Sequence, residues 1–432
     1  MSIDRRTFVG RAAGAMGAIA LGEAIVGSGA RLGAQQARPS ERAVPDVIRG
    51  LKPMTSGVVP ITDEERLARI EKARRLLVEN GIGAMFIEGG SSLFYYTGVR
   101  WGNSERPFGV VIPARGELAF ITPGFEEQRA RELIKFTHDV RVWQEDESPY
   151  RLIAQILRDR GVATGRVGME ERVRFFIVDG VRQEMPGVEL VSATPVTAGC
   201  RMFKSPAELA LMQRANDITV EAFRAAFKTF REGMTQGELG ANVSAAFSAL
   251  GTSGSALVIF GKYTAFPHGT IQPQKLHEGD VVLVDGGCAV EGYQSDFTRT
   301  TVFGKPTQRQ RDVWEVEKRA QSAAFAAAQV GAACESVDAA ARKVITDAGF
   351  GPDYNVPGLP HRTGHGIGLD GHEWTNFVRG NTTKIQPGMC FSDEPTIVIY
   401  GEFGIRLEDC LYITPSGPKM FTEQSAAIDK PL

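Results

Sequence analysis

Two acids sit where an apolar strand turns back on itself. Val281-Val282-Leu283-Val284 runs into Asp285, and Asp296 follows in a Thr- and Phe-containing run that favours a strand. Read as a hairpin centred between Val290 and Glu291, the segment sets Asp285 and Asp296 directly opposite each other. Opposed side chains on one face lie about 5 Å apart. Like charges at that spacing repel unless one is protonated or a cation lies between them. A surface pair near a turn is the plainer alternative for two such acids taken alone.

Further along, His361-Arg362-Thr363-Gly364-His365-Gly366-Ile367-Gly368-Leu369-Asp370-Gly371-His372 gathers three of the six His of the chain, with four Gly among them. Imidazole is a ligand for transition metals and the usual acid–base group near neutral pH. The glycines let backbone turn tightly or approach a ligand. Glu394 lies beside the apolar run Thr396–Ile399. Arg406 and Glu408 are two apart, so they project from one face of a strand. Asp285, Asp296, Glu394 and Glu408 carry −4 together, which balances two divalent cations. An oxygen-rich set with one nitrogen and no sulfur favours Mn²⁺ first on hardness, then Co²⁺ or Zn²⁺. Two such ions about 3.5–4 Å apart can clamp both sides of a hydrolytic displacement.

The elements that must hold these groups divide the 432 residues into segments. Arg5-Arg6 ahead of a weakly apolar, Gly-rich stretch marks residues 1–34 as a twin-arginine export signal. Asp4 and Gly10 depart from the usual pattern, and Glu23 makes the stretch a poor membrane helix. Cleavage is expected after Ala30 or Ala34, and removal of residues 1–34 would take away four Arg and two acids, leaving a mature charge of about −4 from the formal −2. The expected location is then periplasmic or extracellular, with no stable membrane insertion. Residues 35–62 form a Pro-rich lead-in. From Asp63 the pattern is helical to Asn80, with Leu67, Ile70, Ala73, Leu76 and Leu77 on one side. Alternating strand and helix patterns up to residue 200 predict an α/β domain over 63–200. Ser205-Pro206-Ala207-Glu208 is a helix start. Long Ala-rich helices among antiparallel-looking strands predict an α+β domain over 201–432.

Composition narrows the function. A 43% hydrophobic and 23% charged chain is globular. The near-neutral charge gives no basic footprint for nucleic acid. Five Cys at 200, 288, 334, 390 and 410 have no paired spacing and read as buried free thiols.

Together these motifs resemble the pita-bread metallopeptidases, which include methionine aminopeptidase, aminopeptidase P, prolidase and creatinase. The resemblance covers residues 206–425, and the preceding α/β domain resembles the amino-terminal domain of the prolidase and aminopeptidase P branch. It implies five metal ligands, Asp285, Asp296, His365, Glu394 and Glu408. Pro267-His268-Gly269 resembles a substrate-contacting His, and His372 resembles the His at the scissile peptide. His361 and Arg406 resemble features of the proline-specific members, contacting the proline side or its carboxylate. Creatinase lacks the metal ligands that are intact here.

The implied function is hydrolysis of Xaa-Pro bonds by a metal-bridging hydroxide, with Glu394 passing its proton to the departing nitrogen. The implied substrate is a peptide with proline at its second position, and the implied assembly is a homodimer or higher. Tyr95–Trp101 is a candidate wall for the far end of the pocket through Arg100 and Trp101, or else simply loop and core. Hydrolysis of another amide or C–N bond on the same fold is the second reading. A binding module is the third, and the intact ligand set speaks against it.

Overall fold

Thr62 opens the first long helix, Asp63–Glu79, where its hydroxyl accepts from the Glu65 N–H at 3.2 Å and three acids fill the first turn. A computed structural model describes residues 43–432, so the expected export segment lies outside the described residues. The helix buries Ile70, Ala73 and Leu77 as expected, but Leu67 is 47% exposed. Arg66 and Arg69 are buried instead, because their guanidinium groups donate to the Phe94 and Tyr95 carbonyls. Such capture lets the aliphatic stems pack while the charged heads stay bonded.

This helix packs on a six-stranded sheet. Its strands are β1 (Ile82–Glu88), β2 (Gly109–Pro113), β3 (Ala119–Pro123), β4 (Val140–Trp143), β5 (Gly165–Met169) and β6 (Val188–Ser192). Their order is β4-β3-β2-β1-β5-β6. The two β2 pairings are antiparallel and the other three are parallel. Helices Glu127–Leu133 and Phe175–Glu184 supply the crossovers of the parallel pairs β3-β4 and β5-β6, and Pro149–Asp159 carries the chain from β4 at the edge back to β5. Strand β6 and the short helices Ser91–Thr97, Glu127–Leu133 and Thr194–Arg201 were not foreseen.

The capping box at Ser205 forms as the sequence suggests. Ser205 Oγ accepts from Glu208 N at 3.2 Å and the Glu208 carboxylate accepts from Ser205 N at 2.8 Å. It starts the helix Pro206–Phe227. A second helix, Gln236–Ala249, precedes β7 (Gly254–Phe260), β8 (Val281–Val290), β9 (Tyr293–Gln294) and β10 (Phe297–Val302). The pattern then recurs. Helices Gln308–Ala327 and Cys334–Asp347 precede β11 (Gly364–Gly366), β12 (Glu373–Phe377), β13 (Cys390–Asp393), β14 (Thr396–Ile399), β15 (Phe403–Arg406), β16 (Asp409–Thr414) and β17 (Gly417–Met420). The first sheet runs β10-β8-β7, with β9 added to β8, and the second runs β12-β11-β13-β16-β17. Strands β14 and β15 form a separate hairpin, and every pairing in this half is antiparallel.

Strand β8 anchors the chemistry. Val281, Val282, Leu283 and Val284 are each at most 1% exposed, so both faces of the strand are covered. Each such side chain contributes about 1.5–3 kcal/mol on burial. Asp285 therefore starts from a rigid base. All five cysteines are buried and unpaired, as their spacing suggested. Among the described residues, no helix is long and apolar enough to cross a membrane.

Candidate metal centre

The hairpin that carries the two Asp is offset from the expected register. Val290 pairs with Tyr293 and Ala289 with Gln294, which places the turn at Glu291-Gly292. Both turn residues have positive φ, 50° and 91°. That is the signature of a two-residue turn whose twist matches the strands. The centre moves by one residue, so Asp285 lies opposite Thr298 rather than Asp296. Asp296 becomes a diagonal neighbour, still within reach of the same face. The sequence signal was hidden because Glu291 occupies a conformation usually given to Asn or Gly.

The second sheet brings the remaining groups. His365 is central in β11, and the two glycines beside it allow close packing. A Cβ on Gly364 would meet Ser392 O at 2.1 Å, and one on Gly366 would meet Trp374 O at 2.3 Å. Here the glycines serve strand approach rather than tight turns. Ser392 Oγ accepts from His365 N at 3.0 Å and donates to Glu394 Oε1 at 3.3 Å. Glu394 N donates to Thr363 O at 2.8 Å, which ties the end of β13 to the start of β11. Glu408 is joined to Thr298 by two backbone bonds, so it stands beside the first sheet.

Three overlapping groups of donor atoms result, each within 4.8 Å: Asp285, Asp296 and Glu408; His365, Glu394 and Glu408; and Asp296, His365 and His372. The first two share Glu408, an arrangement suited to two adjacent cations with Glu408 between them. His365 Nδ1 lies 3.1 Å from its neighbour's carbonyl, Gly366 O, a bond that needs the proton on Nδ1. In the neutral ring Nε2 then keeps its lone pair for a cation, in the space bordered by Glu394 at 3.2 Å and Asp296 at 3.8 Å. That is the usual orientation of a ligand imidazole.

The electrostatics point the same way. Burial, reinforced by the Asp285 charge, pushes the Asp296 carboxyl up to about 7. Burial and the Asp296 charge push Glu408 well above the usual range. Burial also works against the Glu394 charge, but in the metal-free centre a protonated His365 ring beside it holds that carboxyl at about 2. Four clustered carboxylates and an inward lone pair are a poor fit for an empty protein interior and a good fit for divalent cations.

The other expected residues lie around this centre in different ways. His268 is exposed on the loop after a short 3₁₀ turn at Gly261–Ala265. His361 Nδ1 lies 2.6 Å from Arg362 O, and burial lowers its pKa. The His372 ring stacks on His365 with centroids 3.8 Å apart. Arg362 Nη2 donates to His372 Nδ1 at 2.8 Å, so the neutral ring carries its proton on Nε2. Burial, His365 and Arg362 push His372 down to about 4. Arg406 differs from expectation. It is 2% exposed and fully engaged: Nε donates to Thr298 Oγ1 at 3.1 Å, Nη1 to Pro267 O at 3.1 Å, and Nη2 contacts Asp285. It braces a ligand candidate and the His268 loop. Thr298, Ser392 and Arg362 were not singled out from the sequence, because hydroxyls in strands and a surface arginine carry no spacing signal.

Arg100 and Trp101, the candidate wall, follow the helix Ser91–Thr97. The Arg100 guanidinium lies over the Phe94 ring at 3.8 Å and beside the Gly292 turn. Trp101 stacks on Phe108 at 3.9 Å, with Arg129 over it.

Known proteins are similar to this chain in sequence and fold. The description "Metallopeptidase family M24" matches residues 210–415, and "Creatinase/Prolidase N-terminal domain" matches 69–203. A Xaa-Pro dipeptidase of Lactobacillus delbrueckii subsp. lactis is 31% identical over 367 residues, 82% of this chain and 97% of the relative. The chain belongs to metallopeptidase family M24. An uncharacterised peptidase of Schizosaccharomyces pombe is 36% identical over 85% of this M24 chain and 84% of the relative. The crystal structure of a dipeptidase from Mycobacterium ulcerans superposes with TM-score 0.79 and 30% identity, covering 86% and 99% of the two chains. The M24 chain thus has the pita-bread catalytic fold behind a creatinase-type amino-terminal domain. It is a metallopeptidase that works with divalent metal ions.

Proposed function

We propose that this M24 protein hydrolyses the peptide bond before proline in short peptides, with Asp285, Asp296, His365, Glu394 and Glu408 holding two divalent cations. The carrying observation is the convergence of these five side chains into groups that share Glu408. Relatives and similar structures named Xaa-Pro dipeptidase or prolidase support the substrate class and put the dipeptide first. Bound cations would supply a nucleophilic hydroxide near neutral pH. Mn²⁺ is the proposed metal from the hard, oxygen-rich donor set.

The chain's own groups do the rest. Glu394 is within reach of His365 and can carry a proton from the nucleophile to the departing proline nitrogen. His372, neutral and with its proton on Nε2, can donate a hydrogen bond to the developing oxyanion. His268 is open to the substrate. His361, kept neutral by burial, faces the same region, where Glu394, Arg406 and His268 all act on it. Arg406 holds Asp285 and the His268 loop in place. Proline lacks an N–H and has a fixed φ, so its bond needs a dedicated pocket.

Two further readings complete the proposal. Residues 1–34 direct export through a twin-arginine route to the periplasm or beyond. The mature protein assembles as a homodimer or larger. Cell fractionation and light scattering check these.

The first experiment is an assay of the mature protein on Ala-Pro and Ala-Pro-Ala, with Mn²⁺ and with a chelator. Cleavage of Ala-Pro alone gives a prolidase. Cleavage of the tripeptide gives an aminopeptidase P. Failure on both, with metal bound, overturns the proline reading and moves hydrolysis of another amide or C–N bond to the front.

A further inference from the structure

His372 rides on a short loop, residues 367–372, between β11 and β12. This loop is gripped by charged groups from outside the catalytic domain. Asp370 is the first holding point. Ser91 Oγ donates to its Oδ1 at 2.6 Å, Arg172 Nη1 to the same oxygen at 2.8 Å, and Arg201 Nη2 to Oδ2 at 2.7 Å. Glu373 is the second. It contacts Arg201 Nη2, accepts from Lys204 Nζ at 3.1 Å, and takes the Asp370 N–H at 3.1 Å. The side chains of Arg201, Lys204 and Glu373 are each 1% exposed. Arg201 also reaches back through Nη1 to Ser92 Oγ at 2.9 Å, and Ser92 donates to Glu170 Oε1 at 2.8 Å.

The partners come from three separate parts of the chain. Ser91 and Ser92 start the helix after β1, Glu170 and Arg172 follow β5, and Arg201 and Lys204 form the connection into the catalytic domain. Only Asp370 and Glu373 lie within the stretch 210–415 that matches the metallopeptidase family, while Arg201 falls within 69–203 of the amino-terminal match. Asp370 and Glu373 both flank His372 within two residues. Buried charges bonded to one another on several sides define one geometry, because every displaced partner leaves another charge uncompensated.

We infer that Arg201 and Glu373, with Asp370, are positioning residues through which the amino-terminal domain sets the placement of His372 over the metal centre. The effect on turnover rests on the proposed role of His372. The effect on the loop does not. A displacement of about 1 Å in a contacting group costs about 100-fold in rate, so the clamp has catalytic leverage without touching substrate.

Arg201→Met, Arg201→Lys, the double change Ser91→Ala with Arg172→Ala, and His372→Ala are compared in the metal-loaded protein. Deuterium exchange of the peptide spanning 366–377, metal content, and kcat and KM on Ala-Pro are read. Arg201→Met is expected to raise exchange in that peptide selectively and to lower kcat about 100-fold with metal retained. Arg201→Lys should recover part of both. The Ser91/Arg172 change, which spares the buried pair, should move both in the same direction by about tenfold less and serves if Arg201→Met does not fold. In a His372→Ala background, Arg201→Met should cost little more, since the two losses share one cause. Unchanged loop exchange, or a rise spread evenly over the whole chain, overturns the inference. So does full additivity with His372→Ala. A parent that cleaves no proline peptide defeats the proposed function instead, and the exchange data still decide the clamp.

Discussion

Thr298 and Glu408 hold the two catalytic sheets against each other. Thr298 N donates to Glu408 O at 3.3 Å and Glu408 N to Thr298 O at 3.1 Å. The Thr298 hydroxyl donates to Glu408 Oε2 at 2.5 Å and accepts from Arg406 Nε at 3.1 Å. One side chain thus orients the acid shared by both donor groups and joins it to the arginine that braces Asp285. Thr298→Val keeps the shape and removes the hydroxyl. Such supporting partners are worth about 10–100-fold in metal affinity. Titration calorimetry with Mn²⁺ should show a loss of that order in the variant, and an unchanged affinity would refute the role.

Proton and metal compete at the centre, which fixes a sign for the pH response. Above about pH 6.5 the unfolded chain has lost its carboxyl protons and most of its imidazole protons. The folded, metal-free protein keeps those on Asp296, held at about 7, on Glu408, held well above its usual range, and on His365, raised by Glu394 against the effect of burial. The folded state then binds more protons, so its stability falls as pH rises from about 6.5 to 8. His361 and His372 are lowered and act in the opposite sense, an effect that fades as pH rises past the unfolded imidazole's value of about 6.5. Thermal unfolding of chelator-treated protein should show Tm dropping across the window. Divalent metal at a hundred times its Kd should restore about 2.7 kcal/mol. A Tm that climbs with pH without metal contradicts the cluster's electrostatics.

His361 gives a cleaner test of substrate contact than the ligands do. It belongs to none of the donor groups within 4.8 Å that the described residues form. His361→Ala is expected to lower turnover of Xaa-Pro substrates while metal content stays near that of the parent, as elemental analysis would show. A matching loss of metal would make it a ligand or a scaffold residue.

The hairpin turn offers a stability prediction away from the chemistry. Glu291 is exposed with φ 50°, a left-handed conformation that costs an ordinary L-residue about 1–2 kcal/mol. Glu291→Asn followed by Gly292 makes the preferred turn pair and should stabilise the fold by about 1 kcal/mol in denaturant titration. No gain would mean that Glu291 is compensated by a contact of its own.

That same turn shows where sequence reasoning stopped short. The apolar run Val281–Val284 located the start of β8, and the Ser-Pro-Ala-Glu pattern marked the helix start at Ser205. The five ligand candidates were legible because each carries an ionisable group in a setting otherwise apolar or glycine-rich. Register was not, because Glu291 hides the turn. Arg406 was legible as an unusual strand residue, but its partners Asp285 and Pro267 lie more than a hundred positions away. The same distance concealed the Arg201–Glu373 pair. Short helices such as Ser91–Thr97, under two turns long and buried on several sides, lack the periodicity that exposes longer ones.

The five cysteines add a practical consequence. Burial pushes the Cys334 and Cys390 thiols up to about 12, and those at 200, 288 and 410 are raised as well. A buried thiol that keeps its proton does not react with alkylating reagents. Labelling therefore requires the chain around each cysteine to open. Cys200 lies at the connection between domains, Cys288 in the ligand hairpin, and Cys334, Cys390 and Cys410 in the second catalytic half. Their separate alkylation rates form a built-in set of clocks, each timing the opening of a different part of the molecule.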